Sequence, residues 1–268
     1  MWSSPRSSTV WAGGGAFGAG ELWQIEGSQL SILDTPSTIV GVHAAGADVW
    51  AVGNAGSVVH GNNGIFTLMP SSVLQVYNLS AVWGFGPADL WVTTANGVNS
   101  VAHWNGTSWT LGMLPSTAVI PACTGLWASA PDDLWTVCQR GEILHWNGTA
   151  WSKVASPTTQ DLQAIYGFAA NNIWAVGNSN TLLHWNGSAW SSASAPAGGA
   201  LIGIWGAAAN DVYAVGNTAP IRGRVIHFDG TAWTEVLTTG SSTELDRVAG
   251  AQGRVFAAGF PALLVTYP

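Results

Sequence analysis

His184-Trp185-Asn186-Gly187-Ser188-Ala189-Trp190, "HWNGSAW", is one of four near-copies of the same seven letters. "HWNGTSW" occupies 103–109, "HWNGTAW" 145–151 and "HFDGTAW" 227–233. Working outward from this heptad exposes a longer unit, clearest in "LQAIYGFAANNIWAVGNSNTLLHWNGSAW" at 162–190. Relatives begin at 81, 125 and 201, with fainter copies from 39 and at both termini. One aromatic slot marks every copy: Trp11, Trp50, Trp91, Trp135, Trp174, Tyr213 and Phe256. Its spacings of 39, 41, 44, 39, 39 and 43 residues match the period of propeller repeats, and no long 3.6-period segment suggests a helical solenoid.

Within a unit the apolar residues fall into four short runs separated by turn residues, which reads as four strands. In the clearest copy these are "LQAIYG", "NIWAVG", "TLLHW" and "AWSSAS". Asn-Gly or Asp-Gly stands between the third and fourth runs, and predicts a type I′ hairpin turn with positive φ at both central residues. The heptad is thus the hairpin joining the two outer strands of a blade. Trp50, Trp91, Trp135, Trp174 and Tyr213 on the second strand, with Trp109, Trp151, Trp190 and Trp233 on the fourth, are structural repeat positions. They are expected to pack between neighbouring blades, since large rings bury much area against the next twisted sheet.

The expected fold is all-β: a seven-bladed β-propeller of four-stranded antiparallel blades, forming one domain over 1–268. Approximate blades span 1–36, 37–76, 77–117, 118–158, 159–197, 198–241 and 242–268. The count leaves a defect, because the last copy ends at the third strand. "MWSSPRSS" at 1–8 reads either as the inner strand of blade 1 or, by likeness to "AWSSASAP" at 189–196, as the strand completing blade 7. The units resemble bacterial Trp-rich β-propeller repeats, and "WNGTAW" is similar to the Asp-box hairpin. Asp229-Gly230-Thr231-Ala232-Trp233 comes nearest that pattern, while Asn105, Asn147 and Asn186 replace its Asp. Asp-boxes occur in sialidases, sorting receptors and non-catalytic propellers, so the resemblance implies fold far more than activity.

Composition narrows the function classes. The chain has 17 Trp, 34 Gly, 8% charged residues and a net charge of −7, with Lys153 its only lysine. Nucleic-acid binding requires a clustered Lys/Arg face, and only Arg222 and Arg224 lie together. No apolar run is long enough to span a membrane, and the N-terminus lacks the basic-then-apolar order of a signal peptide. Low charge with many aromatics suits neutral, hydroxyl-rich or apolar partners.

Other constellations read as structure. His60, His103, His145, His184 and His227 share one slot per blade, too widely separated to hold one metal, and each is expected to bond a neighbouring backbone or hydroxyl group. Asp48, Asp89, Asp133 and Asp211 precede the second-strand aromatic and read as turn caps. Cys123 and Cys138 flank the turn "ASAPDD" at equal distances, which predicts a disulfide and an oxidising compartment, extracellular or at the cell surface. No cofactor, metal site or catalytic group is expected. Glu142, Asp161, Glu244 and Asp246 are off-pattern, but nothing in the sequence pairs them for glycoside cleavage. The loops after the second strand vary in length and carry the candidate ligand residues Asn54, Asn96, Asn178, Asn217, Arg140, Arg222 and Arg224. The leading expectation is a non-enzymatic, lectin-like binding module for glycans; the alternative is a protein-interaction scaffold, with a glycoside hydrolase third.

Overall fold

The structure, a computed structural model, describes residues 9–16, 19–26, 29–95, 101–112, 121–240, 242–251, 253–259 and 263–267. The first sheet holds β1 (Thr9–Ala16), β2 (Ala19–Glu26) and β3 (Gln29–Thr35). The second holds β4 (Ile39–Ala45), β5 (Asp48–Gly53), β6 (Val58–Asn62) and β7 (Ile65–Leu68). In the third are β8 (Leu79–Gly86), β9 (Asp89–Thr94), β10 (Val101–Trp104) and β11 (Trp109–Leu111). The fourth comprises β12 (Cys123–Ala130), β13 (Asp133–Cys138), β14 (Ile143–Trp146) and β15 (Trp151–Val154). Next come β16 (Leu162–Ala169), β17 (Asn172–Gly177), β18 (Thr181–Trp185) and β19 (Trp190–Ser192). Another four follow: β20 (Leu201–Ala208), β21 (Asp211–Thr218), β22 (Arg222–Phe228) and β23 (Trp233–Thr238). The last sheet has β24 (Arg247–Ala251), β25 (Arg254–Gly259) and β26 (Leu263–Tyr267). Every pairing within these sheets is antiparallel between successive strands.

The expected ring of seven four-stranded blades is corrected. Six sheets, not seven, present a first strand to the central channel among the described residues: β4, β8, β12, β16, β20 and β24. Among the described residues five sheets carry four strands, and both end sheets carry three. The aromatic slot counts second strands, and a second strand also occurs in an incomplete sheet. Trp11 pairs with Gln24 as Trp50 pairs with His60, so β1 to β3 are counterparts of second, third and fourth strands. The last sheet ends at a third strand, where Phe256 pairs with Thr266. The two alternatives for residues 1–8 lie outside the described residues. First and last sheets meet where Val10 clusters with Ala249 and Ala251, beside Ile25 and Phe256.

The heptad forms a turn of four residues rather than the expected two-residue type I′ turn. Trp104 faces Trp109, so Asn105 to Ser108 make the loop, and of these only Gly106 has positive φ, at 92°. Asn105 Oδ1 accepts the Thr107 N–H at 3.0 Å, the Ser108 N–H at 2.9 Å and the Thr107 hydroxyl at 2.8 Å. Asn147, Asn186 and Asp229 repeat the arrangement. A side-chain acceptor therefore replaces the second positive-φ residue. This explains the alternation of Asn and Asp: the turn needs one oxygen, charged or not. At Asp229 the hydroxyl of Thr231 and the N–H groups of Ala232 and Thr231 hold the carboxyl down at about 2.

Between sheets, Trp91, Trp135 and Trp174 are each enclosed by their own histidine and by the next sheet's heptad pair. Trp135 stacks on His145 at 4.2 Å, meets Trp185 at 4.8 Å and takes Trp190 edge-on at 5.9 Å. Trp91 repeats this with His103, Trp146 and Trp151, and Trp174 with His184, Phe228 and Trp233. The histidines bond the repeat carboxylate rather than the backbone or hydroxyl partner expected. His145 Nε2 lies 2.7 Å from Asp133 Oδ1, which also accepts the Trp135 indole N–H at 2.9 Å. His60–Asp48, His103–Asp89 and His227–Asp211 match it, and His184 meets Asn172. For Asp48, burial alone pushes the pKa up, but bonds from Asn62 and His60 outweigh it and the net shift is downward.

Hydroxyls stitch the inner strands together. β8 and β12 carry a bulge near their start. There, Ser80 Oγ donates to Cys123 O at 2.6 Å and Thr124 Oγ1 to Leu162 O at 2.7 Å, each in the following sheet. A carbonyl freed from the ladder by the bulge thus gains a donor.

Candidate binding site

The first strands place one aromatic position around one mouth of the channel: His43, Trp83, Trp127, Tyr166 and Trp205. Each pairs across its sheet with the second-strand aromatic. His43 and Trp83 rings lie 4.3 Å apart, and Trp83 meets Trp127 edge to face at 6.3 Å. Above them opens a bowl of about 960 Å³, walled by Trp11, Phe66, Phe85 and Phe168. Thr9, Gln24, Asn63 and Ser129 add polar groups, and no Asp, Glu, Lys or Arg lines it among the described residues. The bowl continues into the channel through His43, Trp83 and Tyr166, which line both spaces.

His43 keeps this surface uncharged. It is 4% exposed, and burial lowers its pKa to about 3 against the opposing effect of its bond to Gly84. As the neutral tautomer its Nε2–H donates to Gly84 O at 3.1 Å. Burial likewise raises the Tyr166 phenol above its ordinary value. The His43 shift gives a pH expectation. The unfolded chain binds this proton near pH 6.5 and the folded chain only near 3, so stability falls as pH drops through that window. Acid titration of thermal unfolding should show this slope in the wild type and a shallower one in His43→Phe. Parallel slopes would place the neutral imidazole elsewhere.

The candidate ligand residues read from the second–third loops are not gathered into one site. They sit at the opposite end of the strands from the bowl, whose rim comes from first–second loops (Gly46, Ala47) and a third–fourth turn (Asn63, Gly64). Asn178 Oδ1 accepts from Gln163 Nε2 at 3.1 Å, and Asn217 Oδ1 from the Leu245 N–H at 3.0 Å, so both brace neighbouring chain. Asn54 is exposed and its carbonyl accepts the Ser37 hydroxyl. Arg140 is exposed, with its N–H on Asp161 Oδ1. Asn96 lies outside the described residues. Arg222 is exposed, whereas Arg224 is wholly buried and donates to Pro196 O and Ala197 O at 3.1 Å each. Cys123 and Cys138 face each other across β12 and β13 and are joined as a disulfide. No cluster of three or more His, Cys, Asp or Glu suited to a metal occurs among the described residues.

No family model matches the chain, and no curated protein matches it in sequence. Its fold is widely shared among solved structures. A structure of YCF48 bound to D1 peptide is 14% identical, with a TM-score of 0.69 over 98% of this chain and 93% of that one. The WD40 β-propeller domain of Doa1 is 9% identical, with a TM-score of 0.76 over 99% and 90%. The chain folds as a β-propeller. A streptogramin B lyase is similar to it as well, 14% identical with a TM-score of 0.72 over 95% and 91%. Propellers of this shape therefore include both binding proteins and an enzyme, and the site alone must carry the function.

The bowl was the part that sequence reading missed. Its signal was present: an aromatic or histidine seven or eight residues before each second-strand aromatic from Trp50 to Tyr213. Packing accounts for that slot equally well, and only the structure shows its rings opening onto a cavity.

Proposed function

We propose that the propeller is a non-enzymatic binding module that takes an uncharged, apolar segment of another protein into its aromatic bowl. The single observation carrying this is a cavity of about 960 Å³ walled by aromatic rings, with no charged side chain among the described residues. A carboxylate placed there would lose its hydration without gaining a cationic partner among the described residues. Apolar and aromatic side chains gain from burial, and recognition sites are concave and mostly apolar for that reason. Several rings already meet one another, Tyr166 and Phe168 at 74° and Trp83 and Trp127 at 63°, which favours insertion of a side chain over stacking of a flat sugar face. The propeller bound to D1 peptide supports a peptide ligand by analogy. The Cys123–Cys138 disulfide supports an oxidising, extracellular or cell-surface setting.

A glycan ligand is the second reading, favoured by Gln24, Asn63 and Ser129 beside half-buried rings. Parallel screens on peptide and glycan arrays separate the two. We expect retention of apolar peptides by the wild type, and at least about tenfold weaker binding, roughly 1.4 kcal/mol, by Ser129→Arg. Ser129 is exposed and gives up one hydrogen bond to Asp133, so melting should shift by no more than a few degrees. Glycan binding without peptide binding would reverse the choice, and silence on both arrays would end the proposal.

A further inference from the structure

A second cavity, of about 470 Å³, opens between the outer strands of the third and fourth sheets. It shares no lining residue with the bowl. Trp91 and Trp151, each 5% exposed, form its inner wall. The half-buried Trp146 stands against both, its ring 5.2 Å from that of Trp91 and 5.9 Å from that of Trp151. Asp89 and His103 face it from the third sheet.

Two polar groups in this cavity are left unused by the fold. Asp89 holds His103 Nε2 at 2.8 Å and the Trp91 indole N–H at 3.0 Å, both with Oδ1. Its Oδ2 has no hydrogen-bond partner among the described residues. Trp104 and Trp185 donate their indole N–H to Pro87 O and Ala170 O, each three residues before the cross-strand partners Leu90 and Ile173. Trp146 pairs with Leu134, yet its N–H makes no such bond to Pro131, nor any other among the described residues. No other junction of four-stranded sheets combines both groups. Between the second and third sheets Trp104 is already bonded. Between the fourth and fifth, Asp133 Oδ2 accepts the Ser129 hydroxyl and Trp185 is bonded. Between the fifth and sixth the two positions hold Asn172 and Phe228.

The pair fixes the chemistry of an occupant. A cation would answer Asp89 but confront the Trp146 N–H, and an anion would accept from Trp146 but be repelled by Asp89. A hydroxyl both donates and accepts, so neighbouring hydroxyls on one ring answer both groups. The C–H face of such a ring suits the apolar face of an indole whose N–H is its polar handle. We infer that this cavity binds a neutral sugar, a pyranose unit that donates to Asp89 Oδ2, accepts from Trp146 Nε1 and covers the open part of the Trp146 ring. The volume lies within the ~300–1,000 Å³ usual for small-ligand sites. The site is separate from the bowl and does not rest on the apolar segment proposed for it.

The test uses the full chain. Immobilised neutral oligosaccharides of glucose, galactose, mannose and N-acetylhexosamines are screened with labelled protein, and the affinity for those retained is measured by isothermal titration calorimetry. We expect saturable binding that weakens at least about tenfold in Trp146→Phe and in Asp89→Asn. The fold already carries Phe228 and Asn172 at these positions, and Asn172 Oδ1 still serves His184, so both variants should keep the wild-type circular dichroism. Trp185→Phe, at the same position one sheet on, should bind as the wild type does, and so should Ser129→Arg, which alters the bowl. Retention lost in Ser129→Arg but kept in Trp146→Phe would assign the sugar to the bowl and overturn the inference. Failure to retain any of these sugars would overturn it too, as would a loss confined to Asp89→Asn, the mark of a cation site.

Discussion

Arg224→Met should lower the melting temperature by roughly 4 to 8 °C, the largest effect expected of any single polar substitution here. Arg224 is fully buried, and its guanidinium ties β22 to the connection at Pro196 and Ala197 and to the Asn180 side chain. Glu235 adds a longer-range ion pair at 3.8 Å. Burial lowers the guanidinium's pKa, with Glu235 opposing that effect. Methionine fills part of the volume but takes the donor from Ala197 O and Asn180 Oδ1, while Pro196 O keeps the Asn180 amide at 3.0 Å. A buried orphan costs about 1–3 kcal/mol and Ala197 is exposed to water, so a total of about 2 kcal/mol follows, chiefly from Asn180. For a domain of this size each kcal/mol shifts melting by roughly 2–4 °C. Arg222→Met, two residues away and exposed, should stay within about 0.5 kcal/mol of wild type. Differential scanning calorimetry of the two variants decides the matter. Equal melting would show that Arg224 is not the internal tie described.

The second large effect is expected from the cystines. Cys123 and Cys138 are wholly buried on paired strands of the fourth sheet, 15 residues apart in sequence. Closing a loop of that length stabilises a fold by about 3 kcal/mol in the chain-entropy account. The double variant Cys123→Ala/Cys138→Ala should therefore melt well below the wild type. Because both sulfurs are shielded, reductant should act on the wild type only once the sheet opens. Peptide mapping without reductant should recover the two cysteines in one cross-linked fragment. Free thiols there, with unchanged melting in the double variant, would remove the bond and the compartment inferred from it.

Much of this architecture was readable from local chemistry. The heptad marks its own hairpin because Asn, Gly and Thr satisfy one turn and Trp flanks it, and all of that is sequence-local. Ring completeness was not readable in this way. Trp11 and Phe256 announce second strands, and a second strand is spelled alike whether or not first and fourth strands accompany it. The candidate loops misled for a related reason. The spacing of fourteen from Tyr213 to His227 looked like a long exposed loop, but β21 and β22 extend into it and Gly216 pairs with Arg224. An arginine assigned to solvent was in fact inside a sheet. The bowl was hidden because a ring that packs and a ring that lines a cavity obey the same periodicity.

The junction of the end sheets has a mechanical consequence. Between the fourth and fifth sheets Trp135, Trp185 and Trp190 interlock, whereas among the described residues the buried cluster at the joint of the end sheets is Val10 with Ala249 and Ala251, beside Ile25 and Phe256. A joint held by small aliphatic groups parts at lower cost than one held by meshed indoles, so local opening is expected at the first before the second.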